Sequence, residues 1–192
     1  LRTARLAKAL ASEYGQVLQG DESSMVSLPI RHAPVRWCAP SPPFLKLNVD
    51  GAWKEMVGGG VGAVVQNEAG DFIAAMSKRI QRCGSAKEME ARALLEGVLF
   101  CKEVGIFCIC VESDAQELIS CLWHKMGFPS IFEVLFHDVL LVSAQVGVTA
   151  FLAVRRSGNE VAHALARQAY SIDELVVWFD DTPSWFLCVI ER

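Results

Sequence analysis

The sequence has 192 residues, of which 52% are hydrophobic and 21% charged, with a formal net charge of −4. That is enough chain for one globular domain with a real core, and the mixture excludes a disordered polymer. The charge excludes a protein that holds nucleic acid by a strongly basic balance, and no run approaches the ~18 consecutive apolar residues of a membrane span.

The chain opens at Leu1, as expected of a fragment or a processed product, without the residue order of a secretory signal. Residues 3–18 set Leu6, Leu10, Tyr14 and Val17 at helical spacing, and Gly20 is placed to end that helix. Residues 21–43 are rich in Ser and Pro and read as a linker, closed by Pro40-Ser41-Pro42-Pro43. Phe44 to Asp50 alternates apolar and polar residues, which predicts a half-buried strand. Residues 60–66 and 72–78 predict two more strands, joined by a Gly-containing hairpin at residues 67–71. Gly58-Gly59-Gly60 reads as a bend before the second strand rather than as a phosphate cradle.

Ser85 followed by Glu88 forms a capping box that opens a helix to about Val104, stopped by Gly105. The short apolar run Ile106 to Val111 predicts a buried strand covered on both faces. Helices are expected at 115–123 and 130–145, a strand at 146–154, and a last helix to about Tyr170 behind a second capping box, Ser157 and Glu160. The order β-β-β-α-β-α-α-β-α defines an α/β fold with a five-stranded mixed sheet, three antiparallel strands first, and helices on both faces. We therefore divide the chain into a helix and linker (1–43), a domain (44–170) and a C-terminal tail packed on it (171–192). In that tail Val176, Val177, Trp178, Trp185 and Phe186 form an apolar cluster. The seven cysteines, Cys38, Cys83, Cys101, Cys108, Cys110, Cys121 and Cys188, are odd in number and match no zinc spacing. They are expected as thiols of a reducing compartment, the nucleus or cytoplasm.

Three carboxylates stand out. Asp50 ends its predicted strand and precedes Gly51, a pair that also suits a plain turn. Asp114 lies just beyond the buried strand, where ligands gather in open α/β sheets, and is equally placed to cap the next helix. On the helix from Ser85, periodicity sets Glu88, Arg92, Glu96 and Glu103 on an outer flank, with Glu88–Arg92 and Arg92–Glu96 spaced for exposed ion pairs. Glu90 instead shares a stripe with Ala86, Ala93, Gly97, Cys101 and Val104 that must face the sheet, and a buried carboxylate needs a partner or a metal. Three acids aimed at one place suit Mg²⁺ or Mn²⁺, and two such ions ~4 Å apart can activate water against a phosphodiester.

These segments resemble the type 1 ribonuclease H family, and more closely the reverse-transcriptase-like ribonuclease H domains abundant in plant genomes. Leu47-Asn48-Val49-Asp50-Gly51-Ala52 is similar to the family's first strand, and Gly60-Val61-Gly62-Ala63-Val64 to its second. Met89-Glu90-Ala91 through Gly97 resembles the first helix, Val111-Glu112-Ser113-Asp114 the fourth strand, and Asn159 through Ala166 the final helix. The resemblance implies Asp50, Glu90 and Asp114 as metal-binding catalytic acids with two ions in the presence of substrate, and a fourth acid where this chain has His163. The flexible loop that precedes the final helix in the family is reduced here to Arg155-Arg156-Ser157-Gly158.

For a substrate, the sequence offers Lys54 after the first strand, Lys78, Arg79 and Arg82 near the third, and Arg155 with Arg156; Asn159 completes the expected contacts. The implied activity is metal-dependent endonucleolytic cleavage of the RNA strand of RNA–DNA hybrids. A retroelement-derived nucleic-acid-binding domain with impaired catalysis, and a protein-interaction module on the same fold, are the alternatives.

Overall fold

The computed structural model describes residues 37–124 and 132–179. The expected helix at 3–18, most of the linker, the opening of the helix expected at 130, and Trp185, Phe186 and Cys188 lie outside the described residues. Among the described residues six strands form one sheet in the order β5-β4-β1-β2-β3-β6: β1 (Leu45–Lys54), β2 (Gly58–Gln66), β3 (Phe72–Ile80), β4 (Ile109–Ser113), β5 (Ala150–Ala153) and β6 (Leu175–Phe179). β1, β2, β3 and β6 pair antiparallel, whereas β1–β4 and β4–β5 are parallel. The helices are α1 (Ala86–Val104), α2 (Gln116–His124), α3 (Glu133–Val146) and α4 (Glu160–Gln168). Among the described residues no helix is long and apolar enough to cross a membrane.

Strand alternation sorts the residues onto two faces. Leu47, Val49, Val61, Ala63 and Val65 join Ala93, Leu94, Val98 and Phe136 in the larger core under α1 and α3. Val64 and Ala75 point the other way and pack with Ala162 and Leu165 of α4. The glycines of β2 decide how closely α4 approaches. A Cβ on Gly62 would lie 2.2 Å from the Ala162 carbonyl oxygen and 2.3 Å from Ala166 N. The glycine run at 58–60 is thus the start of β2 rather than a bend, with Gly60 abutting Ala166 and Ala169 in the same way.

Several element ends differ from the sequence reading, each for a local reason. α1 stops in a Schellman cap: Gly105 is left-handed (φ 77°), its N–H bonds the Lys102 carbonyl, and Ile106 N bonds the Cys101 carbonyl. Ile106 is consumed by that cap and Cys108 turns the chain at φ 58°, so β4 begins at Ile109 and continues to Ser113. Val146 closes α3 before a left-handed Gly147, which delays β5 to Ala150. The last helix opens after Asn159 rather than directly behind Ser157. Arg156–Gly158 makes a 3-10 turn, and Asn159 precedes α4 without a capping bond from its side chain.

The sixth strand is the largest correction to the expected five. Val176, Val177 and Trp178 of the apolar tail pair with Ser77, Met76 and Ala75 respectively, so they extend the sheet and are half-buried there, although Leu175 and Phe179 remain exposed. Glu96 is likewise displaced from the outer flank. It turns to β3, with its Oε2 accepting from Lys78 Nζ at 2.7 Å, while Glu88 and Arg92 form the expected pair at 2.9 Å. No disulfide joins the described cysteines.

If Gly62 sets the seating of α4, Gly62→Ala should lower unfolding free energy by about 1–3 kcal/mol, the usual cost of overpacking. Gly84→Ala, where the nearest atom is the flexible Glu88 Oε2 at 3.3 Å, should shift the urea midpoint little. Equal midpoints for the two variants would refute this account of the helix seat.

Candidate active site and metal centre

β1 and β4 are paired from Leu45↔Ile109 to Asn48↔Glu112. Carried two residues further, that register sets Asp50 abreast of Asp114, where β4 has ended and the chain turns toward α2. Asp50 therefore does not end its strand as the sequence suggested; β1 runs on to Lys54, paired only with β2. The parting of β4 leaves an opening beside Asp50 that neighbouring helices can enter. α1 enters from one face because Gly51 has no side chain: a Cβ there would lie 2.6 Å from the Met89 carbonyl and 2.8 Å from Glu90 N. α4 covers the opposite face, over Gly62, the cross-strand partner of Asp50.

The result is a group of three carboxylates, Asp50, Glu90 and Asp114, whose ligand oxygens all lie within 4.8 Å of one another. Asp50 is 2% exposed. Burial pushes its carboxyl up to about 6, against the opposing hydrogen bond from His163. Burial also pushes Glu90 up to about 8, reinforced by the charges of Asp50 and Asp114 and opposed by a hydrogen bond from the Gly51 backbone. Glu90 Oε2 and Asp114 Oδ1 are buried and have no protein donor. Buried acceptors without donors are costly, and an oxygen-only ligand set of this size is what a hard divalent cation takes from a protein. The residues present fit such an ion.

His163 is not a member of this group. Its Nδ1 lies 2.7 Å from Asp50 Oδ2, and Arg156 Nη2 lies 2.8 Å from its Nε2. The same Arg156 nitrogen is 3.1 Å from Nδ1. Because Nδ1 is already engaged by the carboxylate, we assign an Nδ1–H that donates to Asp50 and an Nε2 that accepts from Arg156. Arg156 Nη1 also stands 4.0 Å from Asp114 Oδ2, with the Arg side chain 66% exposed. The loop before α4, short as it is, thus delivers a cation to the rim of the acids.

Behind the acids, on the α4 face, lies a buried polar network. Lys46 and Glu112 pair at 2.5 Å, and Asn48 Nδ2 donates to Glu112 Oε2 (3.0 Å) and Asn159 Oδ1 (3.2 Å). Asn159 Nδ2 donates to the Val49 carbonyl at 2.9 Å, Trp37 Nε1 to Asn48 Oδ1 at 3.1 Å, and Lys46 Nζ to the Cys38 carbonyl. Asn159 is 2% exposed, so this expected substrate contact is instead interior and ties the head of α4 to β1. Of the other expected contacts, Lys54 and Arg155 are exposed. Arg79 is half-buried, donating to the Val57 carbonyl at 2.7 Å and stacked 5.2 Å from the Tyr170 ring centroid. The network was missed from sequence, yet it had a signal: Lys46, Asn48 and Asp50 make one whole face of a strand polar in a sheet covered on both sides.

A mixed sheet with this strand order, helices on both faces and acids converging at the parting of β1 and β4 defines a ribonuclease H-like protein. A family model described as reverse transcriptase-like matches residues 48–169, and the chain belongs to that family. Solved structures agree on the fold. Ribonuclease H1 of the halophilic archaeon Halobacterium salinarum superposes with a TM-score of 0.61 at 22% identity, covering 66% of this chain and 97% of its own. The N-terminal ribonuclease H domain of a Mycobacterium tuberculosis protein gives 0.58 at 22% identity, over 66% and 93% of the two chains. LC11 ribonuclease H1, isolated from compost and solved with an RNA/DNA hybrid, gives 0.58 at 18% identity, over 66% and 96%. No curated protein matches the sequence.

The raised acids give a signed dependence on pH. Their folded values lie above the unfolded ones, so their stabilising contribution is complete below the unfolded values, about pH 4. It is lost as pH rises through about 6 for Asp50 and about 8 for Glu90. In EDTA the melting temperature should fall from about pH 5 to about pH 9, and Glu90→Gln should flatten the upper part of that fall. Mn²⁺ or Mg²⁺ should raise it more at about pH 8 than at about pH 6, because protons and cation compete for the same oxygens. A melting temperature indifferent to both pH and Mn²⁺ would contradict this description of the acids.

Proposed function

We propose that the protein is a metal-dependent endonuclease that cleaves the RNA strand of RNA–DNA hybrids. The observation that carries this reading is the Asp50, Glu90 and Asp114 group, with ligand oxygens within 4.8 Å and donor-less buried oxygens on Glu90 and Asp114. These three residues would hold Mg²⁺ or Mn²⁺, two ions with substrate, supplying an activated water and neutralisation of phosphodiester charge. The same fold has been solved holding an RNA/DNA hybrid in LC11 ribonuclease H1, which supports the substrate class.

The remaining roles are assigned to this chain's own residues. His163 is a positioning residue that fixes the Asp50 carboxylate through Nδ1–H, and Arg156 fixes His163 through Nε2. Arg156 also sets a positive charge beside Asp114, where a phosphate entering the site would pass. Lys54 and Arg155 supply exposed cations for the phosphate backbone, with Arg79 held closer to the sheet. Asn159 acts from inside, by seating α4 so that His163 reaches Asp50. Recognition of the hybrid would rest on backbone phosphates and 2′-hydroxyls across a wide minor groove, which requires no net positive charge on the whole chain.

The test is cleavage of a hybrid labelled on its RNA strand, with Mg²⁺, Mn²⁺ or EDTA. Cleavage with either metal and none in EDTA is expected, reduced about a hundredfold or more in Asp50→Asn with hybrid affinity kept or raised. His163→Ala should cost about 10- to 100-fold, as loss of a carboxylate's hydrogen-bonding partner does. His163→Asp should lower the metal concentration needed for half-maximal rate by returning a negative charge. Binding without cleavage under every metal condition would make the protein a nucleic-acid-binding domain instead, and equal rates in all three His163 forms would show that residue to be a bystander.

A further inference from the structure

The carboxylate group opens on a cavity of about 300 Å³ whose lining includes Lys87, Glu90, Asp114, Gln116 and Glu117. Lys87 is the cation of that lining, and it is engaged: its Nζ lies 2.7 Å from Glu117 Oε2. The placement follows from helical spacing. Lys87 is one turn before Glu90 on α1, and Glu117 is three residues after Asp114 at the start of α2, so each partner rises from beside one of the site's acids. The ion pair therefore crosses from α1 to α2 at the rim of the cavity.

We propose that Lys87 is a phosphate-contacting residue at the mouth of the carboxylate site, and that its ion pair with Glu117 is a strap that an entering nucleic-acid strand opens. The inference rests on the reading of the site as one that takes nucleic acid. Three arguments support it. First, the pair is built to open. Its side chains are 47% and 79% exposed, and ion pairs of that kind contribute little to stability and are screened by salt. Second, the exchange is chemically matched, since a phosphodiester oxygen offers the ammonium the same charge as the carboxylate it leaves. Third, Glu117 adds a further negative charge to a rim that already holds Glu90 and Asp114, so it opposes an anionic strand both by its own charge and by occupying the nearby cation. Glu117 is the more exposed partner and can swing into water, whereas Lys87 can stay at the cavity.

A four-arm binding experiment tests this: native protein, Glu117→Gln, Lys87→Gln and the double variant. Each is titrated against a fluorescein-labelled RNA–DNA hybrid in EDTA by anisotropy, and cleavage by the native protein is measured with Mg²⁺ in parallel. Both residues are exposed, so the fold should be unaffected in every arm. Glu117→Gln is expected to bind about three- to tenfold tighter, because the strand no longer has to open an ion pair to reach Lys87. Lys87→Gln alone should weaken binding about two- to fivefold and lower the slope of log affinity against log salt by about one unit, as loss of one phosphate contact does, and in the double variant most of the gain should vanish. An undiminished gain without Lys87 would reduce Glu117 to simple repulsion and overturn the strap; no gain from Glu117→Gln, with a native protein that binds and cleaves, would overturn it while leaving the proposed function intact. No hybrid binding in any arm would overturn both.

Discussion

A carboxylate placed inside a sheet is an unfavourable object, and the architecture around Asp50 is arranged by that fact. With 2% of its surface exposed, Asp50 cannot be served by bulk water, so every element near it either supplies a donor or stands aside. β4 ends its pairing two residues short of it, Gly51 admits α1, and Gly62 across the strand pair admits α4. These concessions bury three acids together, and burial, with the charges of Asp50 and Asp114 added, pushes the Glu90 carboxyl up. The molecule offsets part of the cost with His163 and Arg156 on one side of the group and leaves two oxygens without protein donors on the other. A divalent cation is the partner that this charge and this ligand chemistry call for.

The network behind the acids answers a separate problem, that of register. Parallel strands far apart in sequence need something to set their phase, and hydrophobic packing alone tolerates small slips. Lys46 and Glu112, 4% and 2% exposed, form an ion pair across the β1–β4 junction, and Asn48 joins that pair to Asn159. A shift of one residue would bury Leu47 or Val49 against Glu112 and leave its charge unpaired, which is far more costly than a lost methyl contact. The polar face of β1 thus fixes where Asp50 stands relative to Asp114, and through Asn159 where His163 stands relative to both.

Much of this was legible in the sequence because it obeys local rules. The α1 phase that singled out Glu90 follows from small residues at 93 and 97, and Gly97 does pack on Val49. The hairpin at 67–71 and the Ser85 cap follow from turn and cap chemistry, seen in Asn67 Oδ1 accepting from Ala69 and Asp71 and in Ser85 Oγ accepting from Glu88. What escaped was set by tertiary context. Asn159 looked like a surface donor at a helix head, but its partners are 110 and 111 residues away. β6 looked like an apolar tail, because a strand's partner cannot be read from the strand itself. Ile106 looked like the start of a strand and was spent on the cap of the preceding helix instead.

The separation of the parts along the chain also governs when the centre can exist. Asn159 grips β1 across 110 residues, and His163 reaches Asp50 across 113. During synthesis, β1, β2 and β3 can pair as neighbouring hairpins, a local and rapid event, well before β4 has been made. Asp50 then sits on the bare edge of a nascent sheet, hydrated and of ordinary acidity, with Glu90 on a helix that has no parallel strand to steady it. Only when α4 leaves the ribosome and docks over Gly62 does the last face of the acid group close. Docking of α4, which follows β4 and β5 along the chain, is therefore the step that removes water from Asp50, and the acid group takes its buried form only then.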